Sequence, residues 1–138
     1  MSESAQHLAL VRNILVWLNT EYLVSDLCIR IDSPETTIGN KPPMIGACKP
    51  DVFACTVPSR VTVVGEAKTS RDLETFHSRE QFASYIKYLR DLQDPLLIIS
   101  TSWMLHRTAR NLVTQIRGML DAPQVQLVFL HEAGVLRC

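Results

Sequence analysis

The chain has 138 residues with 14 basic and 14 acidic side chains, and 46% of its residues are hydrophobic. This length fits one domain with an ordinary buried core, and the balanced charge excludes a polybasic tail or a coat protein that binds DNA mainly through net charge. No apolar run reaches the ~20 residues that a membrane-spanning helix needs, and the N-terminus lacks the pattern of a secretory signal peptide. We therefore expect one cytoplasmic domain, residues 1–138, that does not contact membranes.

Hydrophobic periodicity divides the N-terminal half into a helix, a strand and a hairpin. Apolar residues at three- and four-residue steps predict a helix over Ser4–Tyr22, and looser alternation predicts a strand over Leu23–Ile31. Ser33–Lys49 contains three prolines and two glycines, which indicates a long loop of the kind that is often functional or mobile. A hairpin follows, with predicted strands at Asp51–Val57 and Arg60–Lys68.

The C-terminal half alternates helices with strands. A helix is predicted over Ser78–Leu92, followed by a strand at Leu96–Ser100 whose continuous apolar run is typical of burial on both faces. A third helix, capped by Thr101 or Ser102, extends to Leu120, and a last strand covers Val125–His131. The order α-β-β-β-α-β-α-β predicts a three-layer α/β/α domain with a mixed central sheet.

The four cysteines, Cys28, Cys48, Cys55 and Cys138, follow no CxxC or zinc-binding spacing. We interpret them as reduced cytoplasmic thiols rather than as a disulfide pair or a metal site, because disulfides are rare in that compartment.

The hairpin carries the residues with the clearest chemical potential. Asp51 begins one strand, while Glu66 and Lys68 end the other and project from the same face, since side chains two residues apart share a face. Ala67 points to the opposite layer. Pairing of the strands brings Asp51 alongside, which predicts two carboxylates and one amine in a common pocket. The alternative is that these residues are only solvated strand ends and an ion pair.

Two close carboxylates repel each other unless a cation lies between them. Oxygen ligands suit Mg²⁺, which keeps several waters and engages phosphates, and the backbone carbonyl of Ala67 could supply a further ligand. Lys68 beside a coordinated water could orient it and stabilise developing negative charge. Such a pocket is suited to phosphodiester hydrolysis.

The segments Pro50-Asp51 and Glu66-Ala67-Lys68 resemble the motif of the PD-(D/E)XK nuclease superfamily. The element order over about residues 3 to 100 is also similar to that superfamily's core. The resemblance implies a restriction-endonuclease-like fold and a DNA nuclease that uses Mg²⁺, with Mn²⁺ as a substitute. It implies that Asp51 and Glu66 bind the metal and that Lys68 positions the attacking water. A homodimer or a larger nuclease complex is compatible with cutting two strands.

The resemblance also implies an acidic metal ligand on the first helix. Glu3 is the first candidate, with His7 one turn later on the same face, and Glu21 at the far end is the second. The alternative for Glu3 is a favourable charge at a helix N-terminus.

On the second helix, the resemblance assigns Gln81 to the active site and Tyr85 to the site or the DNA backbone. The alternatives are a polar residue near the helix N-terminus for Gln81 and core packing for Tyr85, with its hydroxyl reaching the site. The segment before this helix is rich in side chains of the types that contact phosphates: Thr69, Ser70, Arg71, His77 and Arg79. His77 is otherwise interpreted as a surface residue.

The third predicted helix has a basic stripe that could track a phosphate backbone or form a solvated face. Its members are His106, Arg107, Arg110 and Arg117. Trp17 and Trp103 are expected to pack in the core or at helix ends rather than to stack on bases.

The sequence thus favours a Mg²⁺-dependent DNA nuclease. The alternatives are a catalytically inactive module of the same fold, which binds nucleic acid or protein, and an unrelated α/β domain in which Glu-x-Lys is a coincidence.

Overall fold

The computed structural model describes residues 5–23, 26–33, 40–56, 60–69, 76–132 and 134–138. Within this part of the chain there are three α-helices and one six-stranded sheet. The elements in chain order are α1 (Ala5–Glu21), β1 (Leu27–Ile31), β2 (Val52–Thr56), β3 (Thr62–Ala67), α2 (Phe76–Arg90), β4 (Pro95–Ser100), α3 (His106–Met119), β5 (Gln126–His131) and β6 (Gly134–Arg137).

The sheet follows the order of the strands in the chain, β1-β2-β3-β4-β5-β6. The pairs β1–β2, β2–β3 and β5–β6 are antiparallel, whereas β3–β4 and β4–β5 are parallel. The parallel pairs are connected through α2 and α3, as parallel pairing requires. The prediction of a mixed α/β sheet is therefore confirmed.

Helices cover both faces of the sheet. Ile14 and Leu18 of α1 are fully buried against one face, in a cluster that includes Ile98 of β4. On the opposite face, Phe82 of α2 and Val113 of α3 belong to the second apolar cluster. Every residue of β4 is buried, as expected for a central strand between two helical layers. The structure therefore has the predicted three-layer α/β/α arrangement.

Gly65 allows α1 to pack closely on β3. A β-carbon built at this position would lie 3.1 Å from Ile14 Cγ2 and 3.2 Å from Val52 Cβ. Both distances are shorter than ordinary van der Waals contact, so a side chain here would force the helix or β2 to move. The absence of a side chain at Gly65 thus sets the distance between helix and sheet.

Two elements begin later in the chain than the sequence predicts. The strand predicted from Leu23 begins at Leu27. The third helix does not begin at Thr101 or Ser102, because Trp103–Leu105 forms a 3₁₀-helix and the α-helix begins at His106. Ser102 makes no capping hydrogen bond through its side chain.

The strand β6 was not predicted from the sequence. It has only four residues and adds an antiparallel edge to β5. The predicted turn Pro58-Ser59 lies outside the described residues. The described part of the long predicted loop, residues 40–49, contains an isolated bridge between Ile45 and Cys48 around Gly46, whose φ is +62°. A positive φ of this size favours glycine.

Candidate active site

The pairing register brings Asp51 and Glu66 together. Val52 lies opposite Gly65 in the antiparallel pair β2–β3, so one further step places Asp51 opposite Glu66. Phe53 packs toward the α2 face of the sheet, and alternation puts Asp51 on that same face. Glu66 and Lys68 project there for the same reason, two and four residues after Val64. The site therefore lies where β2 begins and β3 ends, under α2.

The three charged side chains are almost fully buried. Asp51 is 8% exposed, Glu66 is 4% exposed and Lys68 is 5% exposed. Charged groups are seldom buried to this degree unless they are paired or hydrogen-bonded. Their surroundings supply such partners from α1, α2 and the backbone of β3.

Asp51 accepts hydrogen bonds from α1 and from the backbone of β3. Its Oδ2 atom accepts from the Ala67 N–H at 2.9 Å and from His7 Nε2 of α1 at 3.2 Å. Burial raises the pKa of Asp51, but hydrogen bonds from His7, from Glu66 and from the Ala67 N–H outweigh burial, so the pKa lies below its ordinary value. Asp51 is thus a carboxylate at neutral pH.

The pKa of Glu66 is shifted in the opposite direction from that of Asp51. Burial, followed by the charge of Asp51 and a hydrogen bond to it, raises the pKa of Glu66 well above its ordinary value, although Lys68 and Tyr85 act in the other direction. The Tyr85 hydroxyl donates to Glu66 Oε1 at 2.8 Å. Asp51 and Glu66 therefore titrate as a coupled pair whose two pKa values are shifted in opposite directions.

Lys68 is held between β3 and α2. Its ammonium donates a hydrogen bond to Gln81 Oε1 and lies 6.0 Å from the centre of the Phe82 ring. Its backbone N–H donates to the Ser100 carbonyl of β4 at 3.0 Å. These contacts fix the amine at the same edge of the sheet as the two carboxyl groups.

The oxygen donors fit a hard divalent cation. Asp51, Glu66 and the Ala67 carbonyl are the residues that would hold it, and a cation between the two carboxyl groups would offset the repulsion between their charges. Within the described ranges, no cluster of three or more His, Cys, Asp or Glu side chains could hold a metal ion. Two carboxylates are sufficient for Mg²⁺, since that ion usually keeps several waters.

The acidic ligand expected on the first helix is not supplied by the described residues. Glu3 lies outside them. Glu21 forms an ion pair with Arg137 of β6 and is not in the site. His7 occupies the place next to Asp51 instead. Sequence reasoning treated it only as a neighbour of Glu3, and its four-residue spacing from Glu3 is the signal that could have identified it.

The remaining predicted residues occupy different environments. Tyr85 is fully buried, so the structure places it in the core with its hydroxyl at the site and not on a surface that contacts DNA. Thr69 directly follows Lys68 and is partly exposed, whereas Ser70 and Arg71 lie outside the described residues. Arg79 is exposed on α2 and lines a shallow cleft with Thr108 of α3.

The basic stripe on the third helix is divided by the structure. Arg107 and Arg110 line a surface cleft with Trp103, which is 60% exposed. Arg117 instead donates to the carbonyls of Val125 and Cys138, at 3.1 and 3.2 Å. Trp17 is buried in the core, and Trp103 lies at a helix end, as the first residue of the 3₁₀-helix; both positions are among those predicted. Trp103 contacts only the His131 ring edge-on among the described aromatic pairs.

The comparisons with known proteins identify no family. No family model matches the sequence, and no curated protein matches it. One solved structure that is similar is SfsA from Pyrococcus furiosus in complex with Ca²⁺, at 14% sequence identity and a TM-score of 0.48. The match covers 96% of this chain, which spans 61% of the length of that protein. Among the described residues, no helix combines the length and the apolar character required to cross a bilayer.

Proposed function

We propose that this protein is a metal-dependent DNA nuclease that hydrolyses phosphodiester bonds. The observation that carries the proposal is the placement of Asp51 and Glu66 opposite each other, with Lys68 on the same face and at the same edge of the sheet. Burying two carboxyl groups and an amine in one place is costly, and perturbed titration of such groups is characteristic of functional sites.

Each residue has a distinct role in this proposal. Asp51 and Glu66 bind the cation, and Tyr85 fixes the orientation of the Glu66 carboxyl group through its hydrogen bond. Lys68, held by Gln81, orients a water molecule and stabilises negative charge that develops on the phosphate. Mg²⁺, when bound, supplies neutralisation of phosphate charge and a lower pKa for a coordinated water.

Basic side chains on the surface of α2 and α3 favour a polyanionic substrate. Arg79 of α2 is exposed, and α3 adds Arg107 and Arg110 in a cleft at its N-terminal end. These groups suit phosphate contacts that position a nucleic acid without reading its sequence. Their effect should weaken as salt increases.

The proposal is tested with supercoiled, linear and branched DNA in the presence of Mg²⁺, Mn²⁺ or EDTA. We expect cleavage with either metal and none with EDTA. Asp51→Asn should abolish cleavage, whereas Asp91→Asn, at an exposed position after α2, should not. Cleavage that survives in Asp51→Asn, or no cleavage of any substrate by the wild type, would contradict the proposal.

A second candidate is a catalytically inactive module that binds nucleic acid. The observation that favours it is the closure of the polar network, since His7, Ala67 and Tyr85 satisfy the two carboxyl groups without a cation. Gel-shift measurements on the same DNA separate the two: binding that is independent of metal and unaccompanied by cleavage favours the module.

A further inference from the structure

Cys28 of β1 and Cys55 of β2 face each other across the first strand pair. They are direct partners in the pairing register, and Cys28 is close enough to raise the pKa of the Cys55 thiol. Ile29 and Ala54, their neighbours in sequence, point toward α1, so alternation places both thiols on the other face of the sheet. The two sulfur atoms are thus adjacent without any change of register.

The expected α-carbon spacing of this pair lies within the range found in disulfides, whereas its β-carbons, about 5.5 Å apart in a hydrogen-bonded pair, must approach by about 1 Å for the bond to form. The Asp32 N–H donates to the Asp51 carbonyl at 2.9 Å, which makes these two residues a hydrogen-bonded pair of the ladder. The same pattern recurs every second residue, so Cys28 and Cys55 also form a hydrogen-bonded pair. The α-carbons of such a pair are about 5.5 Å apart, within the range of about 4.4–6.8 Å found in disulfides.

The thiols of Cys28 and Cys55 are accessible to solvent. The other two cysteines are either buried or lack a cysteine partner in the pairing register. Cys28 is exposed on an edge strand and Cys55 is partly exposed, whereas Cys48 is buried in the core. Cys138 is exposed, but its backbone pairs with Leu127 rather than with another cysteine. All four are free thiols. Cys138 therefore serves as an exposed thiol that has no partner in register.

We propose that Cys28 and Cys55 form a redox site that reacts with small-molecule disulfides such as oxidised glutathione. The Cys28 thiolate attacks one sulfur of the small disulfide, whose S–S bond breaks and releases one thiol. The Cys55 thiolate then attacks the Cys28 sulfur of the mixed disulfide and releases the second thiol. The protein loses two electrons, the small disulfide gains them, and the two cysteine protons end on the released thiols.

The two cysteines have different roles in this sequence. Cys28 reacts first because it is the more exposed thiol. Burial raises the pKa of Cys55, and the neighbouring Cys28 raises it further, so Cys55 is the resolving thiol. The product ties β1 to the strand that begins beside Asp51. This redox site does not depend on the nuclease proposal.

The test oxidises the folded 138-residue chain with oxidised glutathione, blocks the remaining thiols with an alkylating agent and maps peptides without reduction. We expect a peptide that links Cys28 to Cys55, with the same yield in Cys138→Ser. Cys55→Ser should stop at a mixed disulfide with glutathione on Cys28, whereas Cys28→Ser should accumulate little glutathione on Cys55. Circular dichroism spectra that match the wild type establish that these variants are folded.

Two outcomes would overturn the proposal. In the first, the wild type accumulates glutathione on Cys28 and forms no internal link. In the second, links to Cys138 form as readily as the Cys28–Cys55 link, which would mean that register does not determine the pairing.

Discussion

The face of β3 toward α1 carries Gly65 and Ala67, whereas the face toward α2 carries Glu66 and Lys68. Both faces are buried, but the contacts that cover them differ. Small residues close the first face by letting α1 approach. Polar side chains of α2 close the second, where Gln81 and Tyr85 bind the charged groups. The comparison shows that burial does not exclude charge from this sheet when the facing helix supplies hydrogen-bond partners.

The largest expected effect is on catalysis and concerns the polar face. Under the proposed function, Lys68→Ala removes the amine beside the carboxyl pair and should lower the cleavage rate by about 10²–10³-fold. Lys87→Ala, on the exposed side of α2, is the matched control and should leave the rate within a factor of two of the wild type. Equal rates for the two variants would remove Lys68 from the mechanism. Single-turnover cleavage assays measure both.

The apolar face is tested by adding one methyl group. Gly65→Ala places a β-carbon 3.1–3.3 Å from atoms of Ile14 and Val52, which should cost about 1–3 kcal/mol of the free energy of unfolding. Gly118→Ala in α3 meets no atom within 4 Å and should stabilise by about 0.5–1 kcal/mol through helix propensity. Urea denaturation at constant m-value measures both, and a Gly65→Ala protein no less stable than the wild type would contradict the close approach of α1.

A smaller effect is expected from removing one hydroxyl on the polar face. Tyr85→Phe deletes the donor to Glu66 and should lower the free energy of unfolding by about 1–2 kcal/mol. Tyr88→Phe, on the exposed side of the same helix, should change it by less than about 0.5 kcal/mol. Thermal denaturation of the two variants gives the comparison, and similar losses would indicate that the Tyr85–Glu66 bond contributes nothing.

The smallest expected effect is a change in the pH dependence of the free energy of unfolding of the metal-free protein. The pKa of Glu66 is raised from an ordinary value of 4.5, so its contribution to stability is complete below that value and declines as the pH rises toward the raised pKa. The pKa of Asp51 is lowered from 3.8, so its contribution is lost only as the pH falls below that value. Glu66→Gln should reduce the loss of unfolding free energy that accompanies rising pH. Urea denaturation between pH 4 and 8 measures this loss. An unchanged slope would mean that Glu66 is ionised in the native protein.

The sequence predicted the elements whose pattern is local. The continuous apolar run of β4 indicated its burial, and the alternation around Glu66 and Lys68 indicated their common face. Both follow from residue spacing alone. The short strand β6 has no such pattern in its four residues, and it forms because the edge of β5 is available for pairing.

Other features depended on how the layers pack and could not be predicted from spacing. His7 reaches Asp51 because of the way α1 packs on β3 and β4, and no local pattern specifies where a helix crosses a sheet. Cys28 and Cys55 face each other only because the pairing register of β1 and β2 is fixed across a long connecting segment.

Gly65 has a consequence for the position of His7. His7 and Ile14 are seven residues apart on α1, close to two helical turns, so they lie on the same side of the helix. Ile14 rests on the bare backbone of Gly65, and His7 reaches Asp51 from the same helix. Gly65 therefore lets α1 pack directly on the backbone of the sheet. Any side chain at position 65 would move α1 away from the sheet. The imidazole of His7, two turns from Ile14, would then move away from the Asp51 carboxylate.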